Sequence, residues 1–149
     1  MADVSSLNGY DLKDAQARSD ISELKSGEVY STNETLTNKV WIDGKEIYRK
    51  TIIIPQSSIT TGEHSYAHGI SNVDKIWFDL SNSFLEESAY NAFWNLMAIN
   101  DANSTSTYKI TNVWVDATTM SLNVGAQIFA RMTSTDNLYV TVNYTKTTD

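Results

Sequence analysis

KVWIDGKEIYRKTIII, residues 39–54, places two apolar runs around Asp43-Gly44-Lys45 and stops against Pro55, the single proline of the chain. Val40 and Ile42 alternate with Trp41 and Asp43, a period of two, and Gly44 supplies the backbone freedom that a tight turn needs. The return run Glu46–Ile54 is rich in β-branched and aromatic residues, which suit a pleated surface. Lys39–Ile54 therefore reads as a β-hairpin.

The same period recurs outward from it. Val73–Leu80 alternates, with Asp74, Ile76, Phe78 and Leu80 as the expected core face. Tyr108–Val115, Met120–Val124 and Leu138–Tyr144 read as further strands, the last presenting Leu138, Val140, Val142 and Tyr144 on one side. His64–Ala67 reads as a short strand and Gln127–Met132 as one more. Ser83–Asn100 is open to two readings. Leu85, Ala89, Ala92 and Leu96 line one face of a helix, whereas the aromatic second half, Ala92–Ile99, favours a strand or irregular chain. Gln56–Gly62 and Asp101–Ser106 are expected loops. The composition agrees with this pattern. Seventeen Ser, seventeen Thr and thirteen Asn suit half-exposed strands and turns better than helix interiors. The expected fold is mainly β, an antiparallel β-sandwich of jelly-roll-like type over residues 28–149.

Residues 1–27 differ. Leu7, Asp14 and Ile21 fall at one heptad position and Tyr10, Ala17 and Leu24 at the other, with Gly27 as a stop. Asp14 is either the cap of a helix from about Ala15 to Lys25 or a polar seam residue beside Arg18. A helix of about three turns with one narrow apolar stripe is marginal alone in water. It must dock on its own domain or on copies of itself, and polar flanks favour copies. The expected organisation is a helical neck over residues 1–27 and a β head over residues 28–149.

Charge and composition remove several classes of function. A net charge of -7 argues against a nucleic-acid partner, which needs a basic face. No run of apolar residues is long enough to insert in a membrane as a helix, and the start, MADVSSLNGYDLKD, reads as no signal peptide. With no cysteine, thiol catalysis and Cys-type zinc sites drop out. No nucleophile elbow, zinc-protease or phosphate-loop motif appears. His64 and His68 on a strand would lie about 13 Å apart on one face, too far to share an ion within a chain. The expected role of His68 is to support the turn before Ile70. Glu86 and Glu87 are sequence neighbours and point apart, as do Asp74 and Asp79. Neither an enzyme nor a bound cofactor is expected.

The aromatic residues carry more. Trp41 and Trp77 occupy strand positions opposite in phase to their aliphatic neighbours. On a surface rich in amides and hydroxyls, an indole ring stacks on the apolar face of a sugar while polar groups bind its hydroxyls. Trp41, Trp77, Trp94 and Trp114 are the candidate carbohydrate contacts, with burial in the core as the competing place for each.

Several segments together resemble one family. Leu7-Asn8-Gly9-Tyr10-Asp11-Leu12-Lys13-Asp14-Ala15-Gln16-Ala17-Arg18, followed by Ile21 and Leu24, resembles a segment of tail-fibre and baseplate-associated proteins of phages that infect Gram-positive hosts. Val29–Glu34 leading to Trp41–Ile52 resembles the opening of a C-terminal domain in such proteins. His68–Asp74 resembles its middle, and Tyr144–Asp149 its ending, with a gap over Glu86–Asp136. The resemblance implies a virion component at the tail tip, or its prophage or bacteriocin equivalent. It implies a homotrimer with a coiled-coil neck, contacts with other tail or baseplate proteins, and a β head that attaches to a host-surface glycan. A chain of this kind is expected as the distal end of a longer fibre. A structural cap without a host ligand and a glycan-degrading enzyme are the alternatives.

Overall fold

The computed structural model describes residues 6–7, 10–11, 30–96 and 110–148. They form a mainly β fold with eleven strands and one short helix among the described residues. The strands are β1 (Ser6–Leu7), β2 (Tyr10–Asp11), β3 (Thr35–Val40), β4 (Glu46–Pro55), β5 (Gly62–Ala67), β6 (Val73–Phe78), β7 (Phe84–Glu87), β8 (Ala92–Asn95), β9 (Ile110–Val115), β10 (Thr119–Val124) and β11 (Asn137–Lys146), with α1 (Ala126–Arg131) before the last.

All strand pairs are antiparallel. The larger sheet runs β3-β4-β11-β7-β8, with β6 also paired to β11; the smaller runs β5-β10-β9. β11 organises the larger sheet. Its even positions, Leu138, Val140, Val142 and Tyr144, are fully buried and share one core with Met120, Leu122 and Val124 of β10. Ile52 and Ile54 of β4 and Leu85 of β7 add to this core, and Ile76 and Phe78 of β6 pack against it. Alternate positions of β10 and β11, with Ile52 and Ile54 of β4, thus give each sheet one apolar face, and the two faces meet in a sandwich-like arrangement. Pro55 closes β4 opposite Asn137, at the end of the ladder, where a missing N–H does least harm.

Two expectations are corrected. The hairpin exists, but its first strand is Thr35–Val40 and Trp41–Lys45 form the turn. Gly44, at φ +86°, donates to the Trp41 carbonyl at 2.9 Å, and Trp41 donates to the Lys45 carbonyl at 2.8 Å. Asn38, at φ +57°, sits where the register with β4 shifts, which breaks the alternation one turn earlier than the sequence implies. Ile42 is left at the tip, 94% exposed. The second correction is Gln127–Met132, which is not a strand. Residues Ala126–Arg131 are helical, and Ile128 and Met132, four apart, both enter the core. A strand would have buried Ala130 with them, and that residue is exposed.

Ser83–Asn95 resolves as the β7–β8 hairpin, joined by a 3-10 turn at Ser88–Tyr90 and by Asn91 at φ +56°. At the other end of the chain, Leu7 stands opposite Tyr10 in a two-residue antiparallel pair, so these two seam positions are extended rather than helical. Asp14, Ala17, Ile21 and Leu24, the helix from about Ala15 to Lys25 and the boundary between residues 27 and 28 lie outside the described residues, as does the Asp101–Ser106 loop. Among the described residues no helix is long and apolar enough to cross a membrane.

His68 supports its turn as expected. It is buried, its Nδ1 accepts from the Ile70 N–H at 3.1 Å, and its Nε2 lies 3.0 Å from the Asp116 carbonyl. Nδ1 is the acceptor, so Nε2 carries the proton, and both nitrogens are engaged. His64 is exposed on β5, opposite Leu122. Among the described residues no three His, Asp or Glu side chains converge as a metal site would require. His68→Ala is expected to destabilise the fold by about 1–3 kcal/mol, because it strands two backbone groups at once. Urea unfolding measures this, and a loss under about 0.5 kcal/mol would show that water replaces the imidazole.

Candidate functional site

β6 and β7 follow one another along the same edge of β11. β6 pairs with Val142–Lys146 and β7 with Leu138–Tyr139. Residues 79–83 bridge the gap, with a 3-10 turn at Leu80–Asn82. Thr141, fully buried, ties this bridge down. Its N–H donates to Ser83 Oγ at 2.9 Å, its carbonyl accepts from the Asp79 N–H at 2.8 Å, and its hydroxyl donates to the Asn82 carbonyl at 2.6 Å. The Thr51 hydroxyl lies 2.9 Å from that of Thr141.

The bridge brings Asp79, Ser81 and Asn82 to the outer face of the larger sheet, beside Arg49 and Asn143, which stand opposite each other on β4 and β11. Arg49 donates from Nε to Asn143 Oδ1 at 3.0 Å and from Nη2 to Asp79 Oδ2 at 3.2 Å. Asp79 also accepts from Ser81 Oγ, from Asn82 Nδ2 on both oxygens, and from Asn143 Nδ2. Burial alone would raise the Asp79 pKa. The hydrogen bonds from Asn82, Ser81 and Asn143 and the Arg49 charge outweigh it, so the carboxyl is held below its usual range. The Arg49 guanidinium lies 4.9 Å from the centre of the Tyr30 ring.

Two hollows open on this face. The polar one, about 590 Å³, is lined by Lys39, Arg49, Trp77, Asp79, Asn82 and Asn143 among others. The other, about 350 Å³, is lined by Tyr30, Thr51, Asn82, Phe84, Phe93 and Tyr139. Asn82 borders both. Arg49 and Asp79 neutralise each other in the polar hollow, which suits a neutral, hydroxyl-rich ligand. Neither the Trp77 indole N–H nor the Asn82 side-chain oxygen has a hydrogen-bond partner among the described residues.

The four candidate tryptophans separate into three places. Trp41 and Trp77 stack on each other, with ring centres 4.8 Å apart and tilted by 37°, and Trp77 lines the polar hollow. Trp94 lies elsewhere. Its N–H donates to the buried Glu87 at 2.5 Å, and Arg131 of α1 holds the same carboxylate at 2.8 Å. The Arg131 guanidinium lies 5.4 Å from the Trp94 ring and 5.9 Å from that of Tyr90. This cluster clamps the β7–β8 hairpin to the helix. Trp114 is on β9 of the smaller sheet, opposite Ser121.

The residues that define the hollows with Trp77 are Tyr30, Arg49, Asp79, Asn82, Phe93, Tyr139 and Asn143. One signal for three of them was present in the sequence. Arg49, Tyr139 and Asn143 hold the positions of β4 and β11 that alternate with core residues, which makes them the second face of a central sheet. Comparison with protein-family models, with curated proteins and with solved structures finds no match.

Proposed function

We propose that this chain is a receptor-binding head that attaches to a host cell-surface glycan through the outer face of its larger sheet. The observation that carries the proposal is the polar hollow, where an indole wall at Trp77 meets the carboxylate and amides of Asp79, Asn82 and Asn143. A ring edge that exposes hydroxyls finds donors and acceptors there, and a ring face finds an indole. The internal pairing of Arg49 with Asp79 favours a neutral glycan over a polyanionic one.

The resemblance to phage tail-fibre and baseplate-associated proteins gives this head its setting: a virion tail tip, a sandwich head on a trimerising helical neck, and neighbouring tail proteins. In a homotrimer, weak sites act together, so tight attachment needs no tight single site. A second reading, a structural tip that binds protein alone, draws support from the exposed Val40 and Ile42 at the hairpin tip.

Glycan arrays and host-cell adsorption with the full-length protein test the proposal. The expected result is saturable binding that Asn143→Ala weakens at least about tenfold, because the amide both lines the hollow and holds Arg49 and Asp79 in place. Failure of a folded, oligomeric sample to bind any glycan or any host cell would leave the structural reading. Sedimentation of the full chain, expected as a trimer, tests the neck independently.

A further inference from the structure

We infer that the cleft takes a glycan of at least two sugar units, of which one fits the polar hollow and its neighbour carries an apolar, methyl-bearing substituent into the aromatic one. This rests on the carbohydrate reading above and adds the ligand's length and chemistry. The two hollows share Asn82 as a wall, so a ligand long enough to cross that one side chain reaches both. Their chemistry differs sharply. The first carries Lys39, Arg49 and Asp79. The second has no charged residue in its wall, which is built mainly from the rings of Tyr30, Phe84, Phe93 and Tyr139.

Two hydroxyls of the aromatic wall are already committed, which leaves the Asn82 oxygen as an acceptor at its border. The Tyr139 hydroxyl donates to Glu86 at 3.2 Å, and the Thr51 hydroxyl pairs with Thr141. A sugar edge bearing only hydroxyls would lose its water there and find few partners, which is costly. An acetyl or deoxy position instead buries its methyl group against the Phe93 and Tyr139 rings, whose centres are 6.1 Å apart. Phe93 is 63% exposed, so its ring is available to a ligand. Asn82 stands at the junction. Its amide nitrogen is bound to Asp79 and its oxygen is open to a donor on either unit.

Calorimetry on the full-length protein tests this with β-1,4-linked hexoses of one to four units, each in plain, 2-acetamido and 6-deoxy form. The expected results are a steep gain from one unit to two, and a preference of about 10–200-fold for a methyl-bearing form over the plain one, the range a small apolar group yields in a hydrophobic pocket. Phe93→Ala should erase that preference, so that methyl-bearing and plain forms bind alike. Asn143→Ala should weaken both series alike. Equal affinity for single units and longer chains, or for plain and methyl-bearing forms, would overturn the inference and leave the glycan reading standing. No binding by any member overturns the inference too, while the glycan reading is then decided by the wider array.

Discussion

Asp79→Ala is expected to lower the unfolding free energy by about 3–5 kcal/mol, the usual cost of stripping one partner from a buried ion pair. The Arg49 and Asp79 side chains are only 7% and 10% exposed. Without the carboxylate, the Arg49 guanidinium keeps Asn143 and the Tyr30 ring but loses the negative charge that balances it. The substitution also frees Ser81 and Asn82, so the bridge between β6 and β7 loosens and glycan binding falls with stability. The double variant Arg49→Met/Asp79→Leu removes both charges and should recover much of the stability but none of the binding. A loss of under about 1 kcal/mol for Asp79→Ala would mean that water reaches Arg49 and that the pair behaves as a surface one.

The same group gives a pH dependence of known sign. Its folded pKa lies below the ordinary 3.8, so the native state binds the proton less readily than the unfolded chain. The stabilisation is complete above the unfolded value and is lost as pH falls through the folded one. Glu34 and Asp136 are lowered too: burial alone would raise them, but hydrogen bonds, with the Lys146 and Lys50 charges also acting on Glu34, outweigh it, so the wild type weakens in acid through several groups. The difference between wild type and Asp79→Ala isolates one of them. That difference should shrink below about pH 4 and stay level above it.

How much of this was legible depends on how far apart in the chain the cause lies. β11 could be read because it alternates apolar and polar residues over most of its length, so a one-residue slip would expose the whole core set, and β4 because β-branched and aromatic residues follow a turn and stop at Pro55. α1 was misread because six residues with Ile128, Ala130 and Met132 fit a period of two as well as one of four, and only the tertiary core decides between them. The site was harder still. Arg49 and Asn143 are ninety-four residues apart in sequence, and Asp79 reaches them only because the ladder on β11 is interrupted at Thr141. No local spacing encodes that. Trp77 was singled out by its phase on β6, and it does lie on the face opposite the core, in the lining of the polar hollow; Trp94 and Trp114 share its residue type but not its surroundings.

The division of β11 into a core side and a cleft side leads to the second large effect. Leu138→Ala is expected to destabilise the protein by about 2–5 kcal/mol, since the side chain is fully buried and the lost methyl groups leave a cavity that a sheet centre cannot collapse. Leu138 lies between Ile54 of β4 and Leu85 of β7, both in the core. Its sequence neighbour Tyr139 faces the other way. Tyr139→Phe keeps the ring beside Phe93 and removes only the hydrogen bond to Glu86, a change of about 0.5–1.5 kcal/mol. Urea unfolding of the two variants, read with calorimetry on the fraction that remains folded, separates the two sides of the strand. Leu138→Ala should shift the unfolding midpoint strongly while the folded fraction keeps the wild-type affinity for glycan. Comparable stability losses at the two positions would mean that the outer face is packed as tightly as the core, and such a face would have no room for a ligand.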